Sequence, residues 1–173
     1  MHANPIRITK VIALLLFVTY LYSPCEVTFY YMSTDRSVQT GMEEILFAFD
    51  FTILRIMMEP GLDRWQSLKL LWDDAACEVH IVAGSIAMSQ LPLLTSPQIR
   101  LRRPVIWLVS GLFFACAAAF VYKRLNFIWM QSSSGLDPNQ APGFLGFGAW
   151  LAPAAFAFAG IATILRRNEA AQQ

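Results

Sequence analysis

The sequence predicts an all-α integral membrane protein, a bundle of four transmembrane helices with an additional amphipathic helix in the first extracytoplasmic loop. Three observations predict it. The chain of 173 residues is 56% apolar and only 14% charged, where soluble domains run at roughly 45–50% and about 25%. The charges are also segregated, leaving long stretches with almost none. Finally, clusters of arginine stand beside the ends of those stretches, as they do where a bilayer decides which loops stay inside.

By length this is a single membrane domain covering 1–173, with spans at about 6–22, 75–94, 105–122 and 144–165. From Phe144 to Leu165 no charged side chain occurs; at about 1.5 Å per residue this crosses a hydrocarbon core of roughly 30 Å. Val105 to Tyr122 is equally uncharged, preceded by Arg102, Arg103 and Pro104 and followed by Lys123 and Arg124, whose long side chains can reach headgroups. Ala75 to Leu94 contains Glu78, His80 and Gln90, so this span carries a polar cost. The first span is short: Val11 to Tyr22 is apolar, and Ile6 to Lys10 extends it with Lys10 snorkelling. A cleaved signal peptide competes for this segment, but no small-x-small cleavage site follows, and Tyr22-Ser23-Pro24-Cys25 is a poor lipoprotein box.

Orientation follows from the Lys and Arg residues of the connections. With the N-terminus inside, the cytoplasmic segments hold Arg7, Lys10, Arg100, Arg102, Arg103, Arg166 and Arg167 against Glu169. The loop from 23 to 74 is acidic and belongs outside. Both termini are therefore expected in the cytoplasm and the protein in the inner membrane. The formal net charge of +1 provides no basic field for nucleic acid.

Within that outer loop, Glu43 to Glu59 is helix-compatible, starts with acids and ends at Pro60-Gly61. On a 100° wheel Glu44, Ala48, Thr52, Arg55 and Glu59 form a polar stripe among Phe, Ile, Leu and Met. This helix is expected to lie on the membrane surface or on the bundle; were it to span, the count would become five. The run from Asp63 is expected to continue unbroken into the second span. The second outer loop, 123–143, reads as an interfacial segment and then turn formers.

Small residues mark helix contacts in lipid. Gly148, Ala152, Ala155 and Ala159 line one face of the last span, Gly111, Ala115 and Ala118 one of the third, and Ala76, Ala83 and Ala87 one of the second. Among polar residues, His80 falls on the face of Ala76, Ala83 and Ala87, and Glu78 lies two residues from it. Asp50 sits opposite the polar stripe of its own helix, where an unpaired carboxylate is costly. Asp50, Glu78 and His80 are thus the candidate functional polar residues. Cys25 and Cys77 fall near the outer boundary at the two ends of the loop, which makes them a candidate disulfide in an oxidising periplasm. Cys116 reads as packing.

No Walker loop, His-Glu-x-x-His, Gly-x-Ser-x-Gly or Cys-x-x-Cys is present, so no catalytic, cofactor or metal site is expected. The expected role is non-enzymatic: binding a membrane or periplasmic protein partner, with membrane lipid as solvent. The plan of four spans with both ends inside is similar in layout and size to that of immunity proteins that protect bacteria from membrane-targeting toxins. A small subunit of a membrane complex has the same general character. The competing class is a small transporter or proton-coupled membrane enzyme using Asp50, Glu78 and His80, for which the spans carry few polar residues.

Overall fold

In a computed structural model, residues 5–29, 36–73, 75–96, 99, 101–133 and 143–170 are described. The chain is mostly helical: α1 (Pro5–Tyr22), α2 (Gly41–Phe47), a π-helical stretch (Ala48–Leu54), α3 (Arg55–Met58), α4 (Arg64–Asp73), α5 (Ala76–Ser89), α6 (Leu91–Leu94), α7 (Arg103–Ser133) and α8 (Gly148–Ala170). Three of these, α1, α7 and α8, are long and apolar enough to cross a membrane, while α5 is a shorter apolar helix. They are helices because uncharged runs leave the backbone to satisfy its own polar groups. Pro104 opens α7 in its first turn, where a missing N–H costs nothing.

The sequence-based reading misses a small antiparallel sheet. Strands β1 (Pro24–Phe29), β2 (Arg36–Thr40) and β3 (Gly143–Leu145) lie in the order β2-β1-β3. Val27 pairs with Val38 on one side and with Phe144 on the other, and the β1–β2 register is interrupted between Pro24 and Glu26. The sheet ties the exit of α1 to the start of α8 and to α2.

Helix α8 is central: 56% of its most apolar stretch is buried, against 33% for α7 and 17% for α1. Helix α1 offers it Ile6, Ala13 and Tyr20, seven residues apart and so on one face. The opposite face of α1, with Ile8, Val11, Leu15 and Val18, is exposed. From α7 come Ile106, Ser110, Phe113, Cys116 and Phe120. Phe156 joins the bundle, with its ring stacked 5.5 Å from Phe120 and edge-on to Phe17 at 5.6 Å, separations at which aromatic pairs attract. Gly84 of α5 lets that helix close on α7, because an added Cβ would meet Cys116 Sγ at 2.3 Å.

Several boundaries differ from expectation. Helix α4 stops at Asp73 and α5 starts at Ala76, so the chain does not run unbroken from Asp63 into the second apolar segment. Helix α7 continues through Lys123 and Arg124 to Ser133, replacing the first half of the expected second outer loop. At about 1.5 Å per residue it is some 46 Å long and outruns a hydrocarbon core.

Candidate functional site

The two ends of the bundle are distinct. One holds the sheet, the C-terminus of α1 and the N-terminus of α8; the other holds the N-termini of α1 and α7, and Arg166 near the end of α8. At the sheet end the structure gathers a charged cluster from five separate elements. Its centre is Arg124 of α7, fully buried at 0% exposure, and Glu44 of α2 at 1%.

Local sequence explains how Glu44 arrives there. Thr40 and Glu43 form a capping box: the Thr40 hydroxyl accepts from the Glu43 N–H at 3.4 Å, and the Glu43 carboxylate accepts from the Thr40 N–H at 2.7 Å. These Thr40 hydrogen bonds hold the Glu43 carboxyl below its ordinary pKa. The box starts α2 abruptly after β2. Gly41 then sits against α1 so closely that an added Cβ would lie 2.4 Å from the Tyr20 carbonyl oxygen. One turn on, Glu44 Oε2 accepts from the Tyr20 hydroxyl at 3.0 Å and from Arg124 Nη2. Its other oxygen, Oε1, has the Lys123 ammonium at 3.0 Å. Burial opposes ionisation of Glu44, but Lys123 and Arg124 outweigh it and hold the carboxyl below the usual value.

Arg124 is satisfied on three sides. Nη1 donates to Glu26 Oε1 of β1 at 2.9 Å, Nη2 to Glu44, and Nε to the Ala149 carbonyl of α8 at 3.4 Å. Pro153 lies inside α8, four residues after Ala149, and has no N–H to give that carbonyl its helical partner. The proline thus leaves an acceptor for the guanidinium. The Phe120 ring, one turn earlier in α7, lies 6.0 Å from the guanidinium carbon. Two acids and two bases cancel, so the cluster is a charge-balanced lock between α1, α2, the sheet, α7 and α8. Cys25 is buried beside it; burial, and then the Glu44 charge, push its thiol up to about 12, which keeps it protonated and unreactive.

The far end has a second buried arginine. Arg166 of α8 donates to the carbonyl oxygens of Leu94 and Ile99, closing the C-terminus of α6 with a cation. It is one of the positives counted in the cytoplasmic segments, yet it is 8% exposed. Arg100, in the same count, and His2 and Asp74 lie outside the described residues.

The candidates from sequence are dispersed. Asp50 is exposed, not enclosed by apolar side chains. The expected wheel is inverted in its first half: Glu44 and Ala48 of the polar stripe face inward while Leu46, Phe47 and Phe49 are exposed; further on, Arg55 and Glu59 of the stripe are exposed as expected, beside Met57 and Met58. The physical reason is twofold. Glu44 gains Arg124 and Lys123, and the π-helical turn at Ala48–Leu54 breaks the 100° advance on which the wheel depends. Glu78 and His80 of α5 are half-buried, and the His80 ring Nδ1 pairs with the Ala76 carbonyl of its own helix. No hydrogen bond or ion pair joins Asp50, Glu78 and His80 to one another among the described residues.

Cys25 and Cys77 stand as free thiols in this structure. Gly148, Ala152, Ala155 and Ala159 are buried on α8. Gly111 and Ala115 need correction as a packing face: Gly111 is exposed with nothing within 4 Å of an added Cβ, and Ala115 is only half-buried. Helix α7 packs instead through the adjacent face that bears Phe113, Cys116 and Phe120, where larger side chains fill the bundle. Among the described residues no group of His, Cys, Asp and Glu is placed to hold a metal ion. The sequence signal that pointed to the charged cluster was the pair Lys123-Arg124, read as a span end. No family model matches the chain, and neither a curated protein nor a solved structure matches it.

Proposed function

We propose that this chain is a multi-pass inner-membrane protein with four crossings and both termini cytoplasmic, acting without catalysis by binding a protein partner at the outer face. An immunity protein against a membrane-targeting toxin and a small subunit of a membrane complex are the two kinds of protein that fit. Four crossings are supported by the course of α5 and α6, which run from the sheet end to the carbonyls held by Arg166. Residues 76–94 span about 28 Å if helical throughout. The exposed Arg102 and Arg103 at that end support its cytoplasmic position.

The observation that carries the binding role is the inverted helix between the sheet and α4. Glu44 is spent inside the fold, while Leu46, Phe49, Met57 and Met58 are exposed together with Arg55. Exposed apolar patches of this kind mark interaction surfaces, and methionine-rich ones adapt to a partner. Exposed Glu43, Asp50 and Glu59 on the same segment disfavour an anionic lipid surface as its cover. A transport or catalytic role gains nothing from the dispersed Asp50, Glu78 and His80.

The test places a photo-reactive residue at Phe49, Met57 or, as a control on the lipid side, Leu108, in cells where the protein performs its task. Discrete protein adducts at Phe49 and Met57 but not at Leu108 are expected, together with full function of the D50N/E78Q/H80A variant. Adducts to lipid alone at Phe49 and Met57, or loss of function in a folded D50N/E78Q/H80A protein, would overturn the proposal.

A further inference from the structure

Helix α4 has a use that the bundle does not explain. Trp65, Leu68 and Trp72 are 80%, 56% and 75% exposed, and their spacing of three and four residues sets them on one face. Gln66 and Lys69 lie beside them on the same open surface of the helix. Two indoles and a leucine held in water are costly. Ser67, Leu70 and Leu71 on the rest of the helix are half-buried, so the Trp face is the more outward one.

We propose that α4 lies in the headgroup region of the bilayer at the sheet end, with Trp65, Leu68 and Trp72 immersed at the acyl boundary. The proposal rests on the membrane-spanning reading of the chain and not on its protein-binding role. Three observations select lipid as the occupant. First, α4 ends at Asp73 and α5 begins at Ala76, so the helix is tethered within a few residues of the bundle's sheet end. Second, that end already carries exposed aromatics on the crossing helices: Tyr22 at the end of α1, Tyr122 of α7 beside Lys123 and Arg124, and Trp150 in the first turn of α8. Such rings gather at the membrane–water boundary, and the two tryptophans of α4 extend the same belt. Third, Arg64 and Lys69, both exposed, flank the apolar sector on the helical wheel, where they can reach phosphate while their stems stay in the apolar layer. The carboxylates of Asp63 and Asp73 stand at the two ends of the segment, outside that sector.

The experiment uses the full chain in phosphatidylcholine nanodiscs containing lipids brominated at shallow or deep acyl positions. A W107F/W129F/W150F protein reports Trp65 and Trp72 alone; a W65F/W72F protein reports the other three. The expected result is that Trp65 and Trp72 lose most of their emission to shallow bromines, less to deep ones and little to aqueous iodide, which places them about 5–10 Å below the headgroups. Quenching by iodide with none by bromolipid would overturn the proposal, because α4 would then stand in water. Protection from both quenchers would also overturn it, because a protein surface would then cover the helix. Bromolipid quenching of the W65F/W72F protein shows that the chain is in the bilayer, so a failure of the α4 proposal is distinguishable from a failure of the membrane reading.

Discussion

Each end of the bundle buries an arginine, and each satisfies it by different chemistry. At the sheet end, Arg124 is matched by two carboxylates and a carbonyl. At the far end, Arg166 is matched by carbonyl groups. The first arrangement needs ionised partners from distant parts of the chain and works only while the charges balance. The second needs only dipoles at a helix end, which do not titrate. The same residue type can therefore fasten a fold either through a pH-sensitive lock or through a pH-indifferent clasp, and the two should fail differently.

The largest expected effect breaks the lock. Arg124→Met leaves Glu44 buried with Lys123 as its remaining cationic partner, and removing one member of a buried pair costs about 3–5 kcal/mol. Reversible unfolding in mixed detergent micelles measures it. The E44Q/R124M protein, with no excess charge left between these two positions, should recover most of the loss. A cost below about 1 kcal/mol for R124M would reduce the pair to the worth of a surface bridge.

Acid offers the same comparison without mutation. The folded pKa of Glu44 is depressed. Its contribution is therefore fully present above the ordinary carboxylate value of 4.5 and is lost as the pH falls through the lower folded value. Hydrogen exchange in α2 should rise in that window before exchange in α6, and E44Q should flatten the acid dependence. Simultaneous loosening of both ends would mean that the two arginines are not separable fasteners.

Arg166→Met comes next. Hydrogen bonds from a charged group contribute about 1.5–3 kcal/mol, and the loss should loosen residues 91–96 without changing the acid profile. A shifted acid limb in this variant would contradict a clasp made of carbonyls.

Why the apolar helices were visible in the sequence and the two arginine fastenings were not follows from distance along the chain. The apolar runs that became α1, α7 and α8 are local, since lack of charge over a membrane's thickness is read without knowing any neighbour. Arg124 meets Glu44 and Glu26 across 80 and 98 residues, and nothing beside Arg124 distinguishes a snorkelling base from a buried one. The sheet was missed for the same reason: β3 is three residues long and pairs with β1 far upstream. The signal at Thr40-x-x-Glu43 was local and readable, and it marks where α2 starts. Thr40→Ala should cost about 1 kcal/mol, measured by the same unfolding experiment. An unchanged midpoint would mean that Tyr20 and Arg124, not the cap, hold Glu44 in place.

The smallest expected effect concerns Asp50, the acid that the 100° wheel singled out. The wheel places it among apolar side chains, and replacing a buried carboxylate there would change stability strongly. The inward turn of Glu44 toward Arg124 sets that geometry instead, and Asp50, on a different face of the helix, emerges exposed. Asp50→Asn should therefore stay within about 0.5 kcal/mol of the parent, as surface substitutions do, and leave the acid limb to Glu44. A large loss would put Asp50 inside a contact and contradict the outward placement of that face of the helix. The facing that buries Glu44 against Arg124 turns Asp50 outward, and the D50N and E44Q proteins compared side by side decide which acid the fold uses.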